Sequence, residues 1–321
     1  MTALYLKDAV GSACRNKPVD VAVTQCLLKS YCTKTIPIKG RSCMSQAPPI
    51  RVDGECSPDF IRFIKNFQTE TNGTKNPDGR IDPHGRTFKN LTSSPKYTGA
   101  TPKTILFGPS PADTGILTKV DPKRFRKLFG RELGLTVTKG EDLLGFFGFL
   151  QQDKNIDDIR WAAYMIATAY IETGLSFLPI KEKGEGAGKP YGKEEVVTDV
   201  HGYRGAKNTK YKNVYYGRGY CQITFMTNYK NMGKNLGYGD ELYINPAKVL
   251  EKKLAYEIIS YGMRHGTFTG AKLSDHINGK KCEYKNARQI INGTDRDTEI
   301  AGYAAEIELL LRLCAGTVII L

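Results

Sequence analysis

Apolar residues recur at three- and four-residue intervals along most of this chain, a spacing that gathers them on one face of a helix. The pattern predicts helices over about 122–133, 141–151, 156–173, 226–236, 246–265, 284–292 and 298–313. Segment 156–173 is apolar on nearly every face, which predicts a buried central helix. Asn155 is its expected cap, with Asp157 and Asp158 in a first turn where the helix dipole favours acids. Nearer the N-terminus, 19–28 also has helical spacing. Ser57 and Pro58 suit the cap and first position of a helix whose stripe is Phe60, Ile61, Ile64 and Phe67. Residues 50–54 read as a short strand ending in an Asp-Gly turn, and 78–88 repeat the turn-then-helix theme. The fold class expected is mainly α.

Prolines 95, 102, 109, 111 and 122, with Ser, Thr and Gly between them, read as a linker. Three parts follow: a small helical module over 1–95, a linker over 96–121, and a large helical domain over 122–321. A chain of 321 residues, 40% apolar and 25% charged, has enough apolar material for real cores and is not a disordered one. The net charge of +14 divides as +6 over 1–95 and +8 over the rest, so no basic tail carries it. A diffusely basic surface concentrates polyanions. No nucleic-acid-binding motif accompanies it, so nucleic acid is not an expected partner. No apolar run reaches the length of a bilayer span, and the apolar end 316–321 reads as a docked strand. The start lacks a basic stretch followed by an apolar one, so synthesis in the cytoplasm without a signal peptide is expected.

Cysteines 14, 26, 32, 43 and 56 crowd the first part, but none form a C-x-x-C pair. A zinc site is therefore not expected, and neither is any other metal or cofactor; disulfides become plausible in an oxidising compartment. Cys221, Cys282 and Cys314 read as packing residues.

The chemistry concentrates between 161 and 229. Glu172 ends the apolar central helix, where partial burial disfavours a charged carboxylate and suits a proton donor. The bland alternative is an ion pair with a basic side chain. Glu182 and Glu185 follow in a glycine-rich loop, where a solvated acid stays ionised and can activate water. Glu194 and Glu195 lie beyond it in a solvent-facing patch. Then come Tyr215, Tyr216 and a Gly-Arg-Gly turn, followed by Gln222, Thr224, Asn228 and Tyr229. Tyrosines offer flat faces to sugar rings, amides suit hydroxyl and N-acetyl groups, and a threonine can hold a water. Two acids followed by such a segment are what hydrolysis of a glycosidic bond requires.

These stretches, with 266–275 and 287–295, cover about 150 residues that resemble the family 19 glycoside hydrolases, chitinases and phage-type endolysins. The resemblance implies a lysozyme-like, two-lobed helical domain and inversion at the anomeric carbon. It implies Glu172 as general acid, Glu182 as base and Thr224 positioning the water. Tyr216, Gln222, Asn228, Tyr229 and Asn292 would line the groove. The family usually has His before its catalytic Glu; Ile171 stands there. Over about 75 residues, 12–91 resembles the peptidoglycan-binding-like module of cell-wall hydrolases. The function expected is hydrolysis of the β-1,4 bonds of peptidoglycan, with chitin as the alternative substrate and a non-catalytic wall-binding protein as the alternative of another class. Expected partners are peptidoglycan strands and a holin, delivery device or immunity protein, with no stable membrane insertion. A monomer is expected, acting on the wall after release.

Overall fold

The computed structural model describes residues 4–34, 50–94, 97–108, 111–279 and 281–316, with backbone alone at 32–34. The chain is mainly α and forms two compact units. The first comprises residues up to Leu135 together with the chain end from Leu309; the second runs from Thr136 to Glu308.

In the first unit the order is β1 (Val10–Gly11), α1 (Pro18–Lys34), α2 (Pro58–Asn72), β2 (Arg80–Ile81), α3 (Arg86–Leu91), α4 (Pro102–Phe107) and α5 (Pro122–Leu133). β1 and β2 pair antiparallel. Ser57 caps α2 as expected, its side chain accepting from Phe60 N–H. The buried stripe of α2 is Phe60, Phe63, Ile64 and Phe67, with Phe63 in the place expected for Ile61. Two buried glutamines each clamp an Asp-Gly turn. Gln25 Nε2 donates to Asp53 Oδ1 at 2.9 Å, while Asp53 and Gly54 N–H donate to Gln25 Oε1 at 3.0 Å. Gln68 Nε2 likewise donates to Asp78 Oδ1 at 2.7 Å, and Gly79 N–H donates to Gln68 Oε1 at 2.9 Å. The expected strand at 50–54 is absent: the turn is held by Gln25, not by a ladder.

The expected linker is also not what forms. Thr101 caps α4, and Pro102 and Pro122 occupy first helical positions, where a missing N–H costs nothing. Ile105, Leu106 and Phe107 are buried in the first unit's core beside α1, whose Cys26 thiol donates to Ile105 O. α5 belongs to this unit as well. Its buried Glu132 accepts from Val19 N–H at the start of α1, and Lys127 pairs with Glu55 at 2.8 Å. The first unit therefore extends to 135 and takes in the segment 97–121. Cys14 and Cys56 are free thiols. Cys43, the Cys32 side chain, Pro95, Pro109 and the expected strand at 317–321 lie outside the described residues.

The second unit opens with α6 (Val137–Gln152) and α7 (Ile159–Glu172), followed by β3 (Ile180–Lys181), β4 (Glu194–Asp199), β5 (Thr209–Val214) and β6 (Arg218–Gly219). Then come α8 (Met226–Asn235), α9 (Glu241–Ile244), α10 (Lys252–His265) and α11 (Leu273–His276). β7 (Ile277–Asn278), β8 (Lys281–Cys282), α12 (Gln289–Asn292) and α13 (Asp297–Cys314), whose residues from Leu309 belong to the first unit, complete the order. All of α7 except Trp161 and Glu172 is buried, which makes it the central helix expected. Its cap is Asp158 rather than Asn155, and Asp158 also pairs with the buried Arg160 at 2.6 Å. Aromatic rings fill the space around α6: Phe146 meets Tyr220 edge-on at 4.9 Å and Tyr256 at 5.4 Å. Among the described residues no helix is long and apolar enough to cross a membrane.

Candidate active site

Helix α7 delivers Glu172 as its last residue. A carboxylate there faces the negative end of the helix dipole and needs a cation. Arg288, in the single turn before α12, supplies it: Nη1 donates to Glu172 Oε1 at 2.6 Å. The Arg288 side chain is 2% exposed and that of Glu172 18%. Arg288 is fixed from behind, its Nε donating to Asp295 O at 2.7 Å. Glu172 Oε2 has no partner among the described residues. Thr168 and Tyr164 stand one and two turns before Glu172 on the same helix, both buried. Cys221 is buried beside this cluster; burial, and then the Glu172 charge, push its thiol up.

The second acid is held differently. β3 pairs antiparallel with β6, Ile180 opposite Gly219 and Lys181 opposite Arg218. The ladder carries Glu182 against Gly217, with Glu182 N–H donating to Gly217 O at 2.7 Å. Both carboxylate oxygens are occupied: Gly217 N–H donates to Oε2 at 3.1 Å and Tyr191 OH to Oε1 at 2.9 Å. Glycine is needed at 217. A Cβ there would stand 2.8 Å from Gln222 Oε1 and 3.4 Å from Glu182 Cβ. Its role is to let two side chains approach the backbone, where the sequence suggested room for a polymer.

Glu185 turns outward. It is exposed, and Lys181 Nζ lies 2.8 Å away, holding its carboxyl below the usual carboxylate range. Glu194 and Glu195 are exposed on β4, as expected, and Glu194 pairs with Lys212 at 2.7 Å.

The segment 215–229 joins the two acids, with Cys221 beside Glu172 and Gly217 beside Glu182. Arg218 and Ile223 exchange backbone hydrogen bonds, closing a tight loop that ends at Thr224. Thr224 is half-buried, and its hydroxyl is bonded to no group among the described residues. Asn228 Nδ2 donates to Thr224 O at 2.8 Å.

Several residues expected to line a groove are instead engaged within the fold. Gln222, at φ +53°, spends its amide N–H groups on Ile180 O and Gly219 O, tying β3 to β6. Tyr229 is fully buried; its OH donates to Tyr216 O at 2.7 Å and accepts from Arg218 Nη1 at 3.0 Å. Burial pushes that hydroxyl well up, so it stays a neutral donor. The Tyr216 ring is buried under the Arg218 guanidinium, 3.5 Å from its centroid. Asn292 is exposed at the end of α12, one turn past Arg288. Ile171, where a histidine was expected, is buried.

Three residues were missed: Arg288, Tyr191 and Phe225. Arg288 lies in the stretch 284–292, which carries a second cation, Lys285, so residue type alone did not single it out. Phe225 sits at φ +66°, a conformation that a bulky residue adopts only when its surroundings force it. It is 44% exposed, and its ring meets that of Tyr191 edge-on at 5.2 Å. The pair places an accessible aromatic surface beside Glu182, the kind of surface that takes the apolar face of a sugar. Among the described residues no cluster of metal-ligating side chains is present.

No family model matches the chain, and no curated protein matches it. Among solved structures, chitinase C from Streptomyces griseus HUT6037 is similar at 22% identity with a TM-score of 0.32. The match covers 62% of this chain and 93% of that one. A mutant of chitinase C is similar at 20% identity, with the same coverage and TM-score.

Proposed function

We propose that the second unit is an inverting glycoside hydrolase that cuts the β-1,4 glycan strands of bacterial peptidoglycan. The observation that carries this reading is the asymmetry of the two carboxyl groups. Both oxygens of Glu182 accept hydrogen bonds from fixed donors, which suits a group that must remain an acceptor and draw a proton from water. Glu172 has one oxygen on Arg288 and one free, so Oε2 is the atom open to the leaving oxygen. In this scheme Glu172 protonates the leaving oxygen while Glu182 activates a water on the opposite face of the sugar. Thr224, with its unspent hydroxyl, orients that water. Tyr191 and Phe225 support the sugar ring.

Peptidoglycan is favoured over chitin by charge. The surface carries +14, and the wall is anionic whereas chitin is neutral. The first unit, with its two clamped Asp-Gly turns, is proposed to dock on the wall and raise the local concentration of the enzyme. In this reading the protein is made in the cytoplasm and reaches the wall by lysis, a holin or a delivery device.

Clearing of purified peptidoglycan, with mass analysis of the products and NMR of the new anomeric centre, tests the reading. Reducing N-acetylmuramic acid ends of α configuration are expected. Clearing of chitin but not of wall would make the substrate wrong. A β product would remove inversion, and no cleavage of either polymer would leave a binding protein.

A further inference from the structure

The second unit holds a cavity of about 320 Å³ whose lining includes none of the residues assigned above to the candidate active site. It lies between the end of α6, the end of α8 and the outer face of α10. A volume of this order with aromatic walls and a few placed polar groups is what a small-ligand site looks like.

Its walls are rigid. Phe149 and Tyr256 lie 5.8 Å apart with their planes tilted by 36°. Tyr261 is stacked on His265 at 3.9 Å. Asp153, at the end of α6, fixes the floor: Ser260 and Tyr256 hydroxyls donate to Oδ2, and Asn155 donates to Oδ1 through both its backbone and side chain. Asp153 is therefore saturated and offers nothing to a ligand.

The charges facing the cavity are Asp153, Glu257, Lys253 and Arg264. Glu257 accepts from Tyr238 OH and stands 3.8 Å from Lys253 Nζ. Arg264 is different. Its Nε reaches Ser260 Oγ at 3.4 Å and its guanidinium carbon lies 6.0 Å from the Tyr261 ring centroid; among the described residues it pairs with no carboxylate and its two terminal nitrogens have no hydrogen-bond partner. A guanidinium with a free fork beside aromatic walls is set to take a carboxylate in two parallel hydrogen bonds. Gln152 and Asn155, both exposed at the mouth, add amide groups suited to hydroxyls and N-acetyl groups.

We propose that this cavity is a second wall-fragment site, taking an N-acetylated amino sugar that carries a carboxylate, with the carboxylate on Arg264 and the sugar against Tyr256 and Tyr261. The inference rests on the peptidoglycan reading for its choice of ligand. The carboxylate has two sources in such a polymer: the lactyl group of muramic acid where the peptide has been removed, or the stem peptide where it has not. Occupying the site tethers the catalytic unit to the polymer at a second point and slows its departure.

The test uses the full chain carrying Glu172→Gln, titrated by NMR with N-acetylmuramic acid, muramyl dipeptide and N-acetylglucosamine. Binding of at least one of the two acids is expected, and which of them binds identifies the carboxylate. N-Acetylglucosamine, which has no carboxylate, is expected to bind at least tenfold more weakly. Arg264→Met is expected to lower affinity for the acid at least tenfold, with Arg264→Lys losing less. Tyr261→Ala should weaken it too. In the chain that retains Glu172, Arg264→Met should still cleave soluble fragments at the original rate, which shows that it folds. Equal binding of N-acetylglucosamine, unchanged affinity in Arg264→Met, or no binding of either acid would each overturn the site. If walls are cleared but neither acid binds, only this site is lost. If neither wall nor chitin is cleaved yet the acids bind through Arg264, the site stands and the catalytic reading is lost.

Discussion

Glu172→Gln separates a catalytic carboxyl from a structural ion pair, because the two roles predict losses of different size. Glutamine keeps the shape of the side chain and still offers an oxygen to Arg288 Nη1. What it loses is the charge on a hydrogen bond now 2.6 Å long, between groups whose side chains are 18% and 2% exposed. A hydrogen bond to a charged group contributes about 1.5–3 kcal/mol and a neutral one about 0.5–1.5, so the exchange costs about 1 kcal/mol. For a unit of this size that lowers the melting midpoint by about 2–4 °C. The folded population at 25 °C barely changes. Loss of a general acid, in contrast, costs about 10²–10⁴ in rate, or roughly 3–5 kcal/mol of barrier. Arg288→Met supplies the converse arm. It leaves a half-buried carboxylate with no cation and should cost roughly 3 kcal/mol in stability, the low end for a broken buried pair because Glu172 keeps some water. The assay is clearing of purified peptidoglycan alongside urea unfolding of the same preparations. If Glu172→Gln retains more than a tenth of the original rate, the proton donor is elsewhere. If its activity falls only in proportion to its stability, Glu172 is a structural ion-pair residue and nothing more.

Glu182→Gln should reduce clearing at least 100-fold, whereas Glu185→Gln, at an exposed group paired with Lys181, should stay within about twofold; the reverse ranking would move the base to Glu185. Burial alone would raise the carboxyl of Asp153, but the donors Ser260, Asn155 and Tyr256 outweigh it and hold the group below its ordinary 3.8. Its contribution is therefore complete above pH 3.8 and is lost as pH falls through the lower folded value. Asp153→Asn should cost roughly 1–3 kcal/mol at pH 7, and the gap to the original chain should close below pH 3.8; a gap independent of pH would contradict this. A chain beginning near residue 118 should fail to give a stable soluble product, because it strips α5 of Val19, Asp53 and Glu55 and exposes Phe125, Leu128 and Phe129. A monomeric, cooperatively melting fragment would show that the second unit does not depend on the first.

The helices were legible because a buried face imposes a period on the sequence. α5 lies over the range expected for it, and α7, α8 and α13 each fall within three residues of theirs. The proline-rich stretch was misjudged because composition does not reveal where in a helix a proline falls. At a first position it starts the element that it would break elsewhere. The site was legible only by residue type. Glu172 and Glu182 stood out as candidates because carboxyl groups are scarce among apolar and glycine-rich neighbours. Arg288 escaped because its partner lies 116 positions away, and no local pattern encodes a pairing of that range. β3 and β6 escaped because two-residue strands have no period to detect. Gln222 and Tyr229 show the limit most clearly. An amide and a phenol that would suit a sugar also suit a backbone carbonyl, and the backbone took both. The groups left over, the Thr224 hydroxyl and the Phe225 ring, are the ones the fold does not consume. For the neutral residues of the candidate site, what the fold leaves unspent is thus a better guide than what a side chain could in principle bind. By that criterion Tyr191 is intermediate: its hydroxyl is spent on Glu182, while its ring stands beside the exposed Phe225.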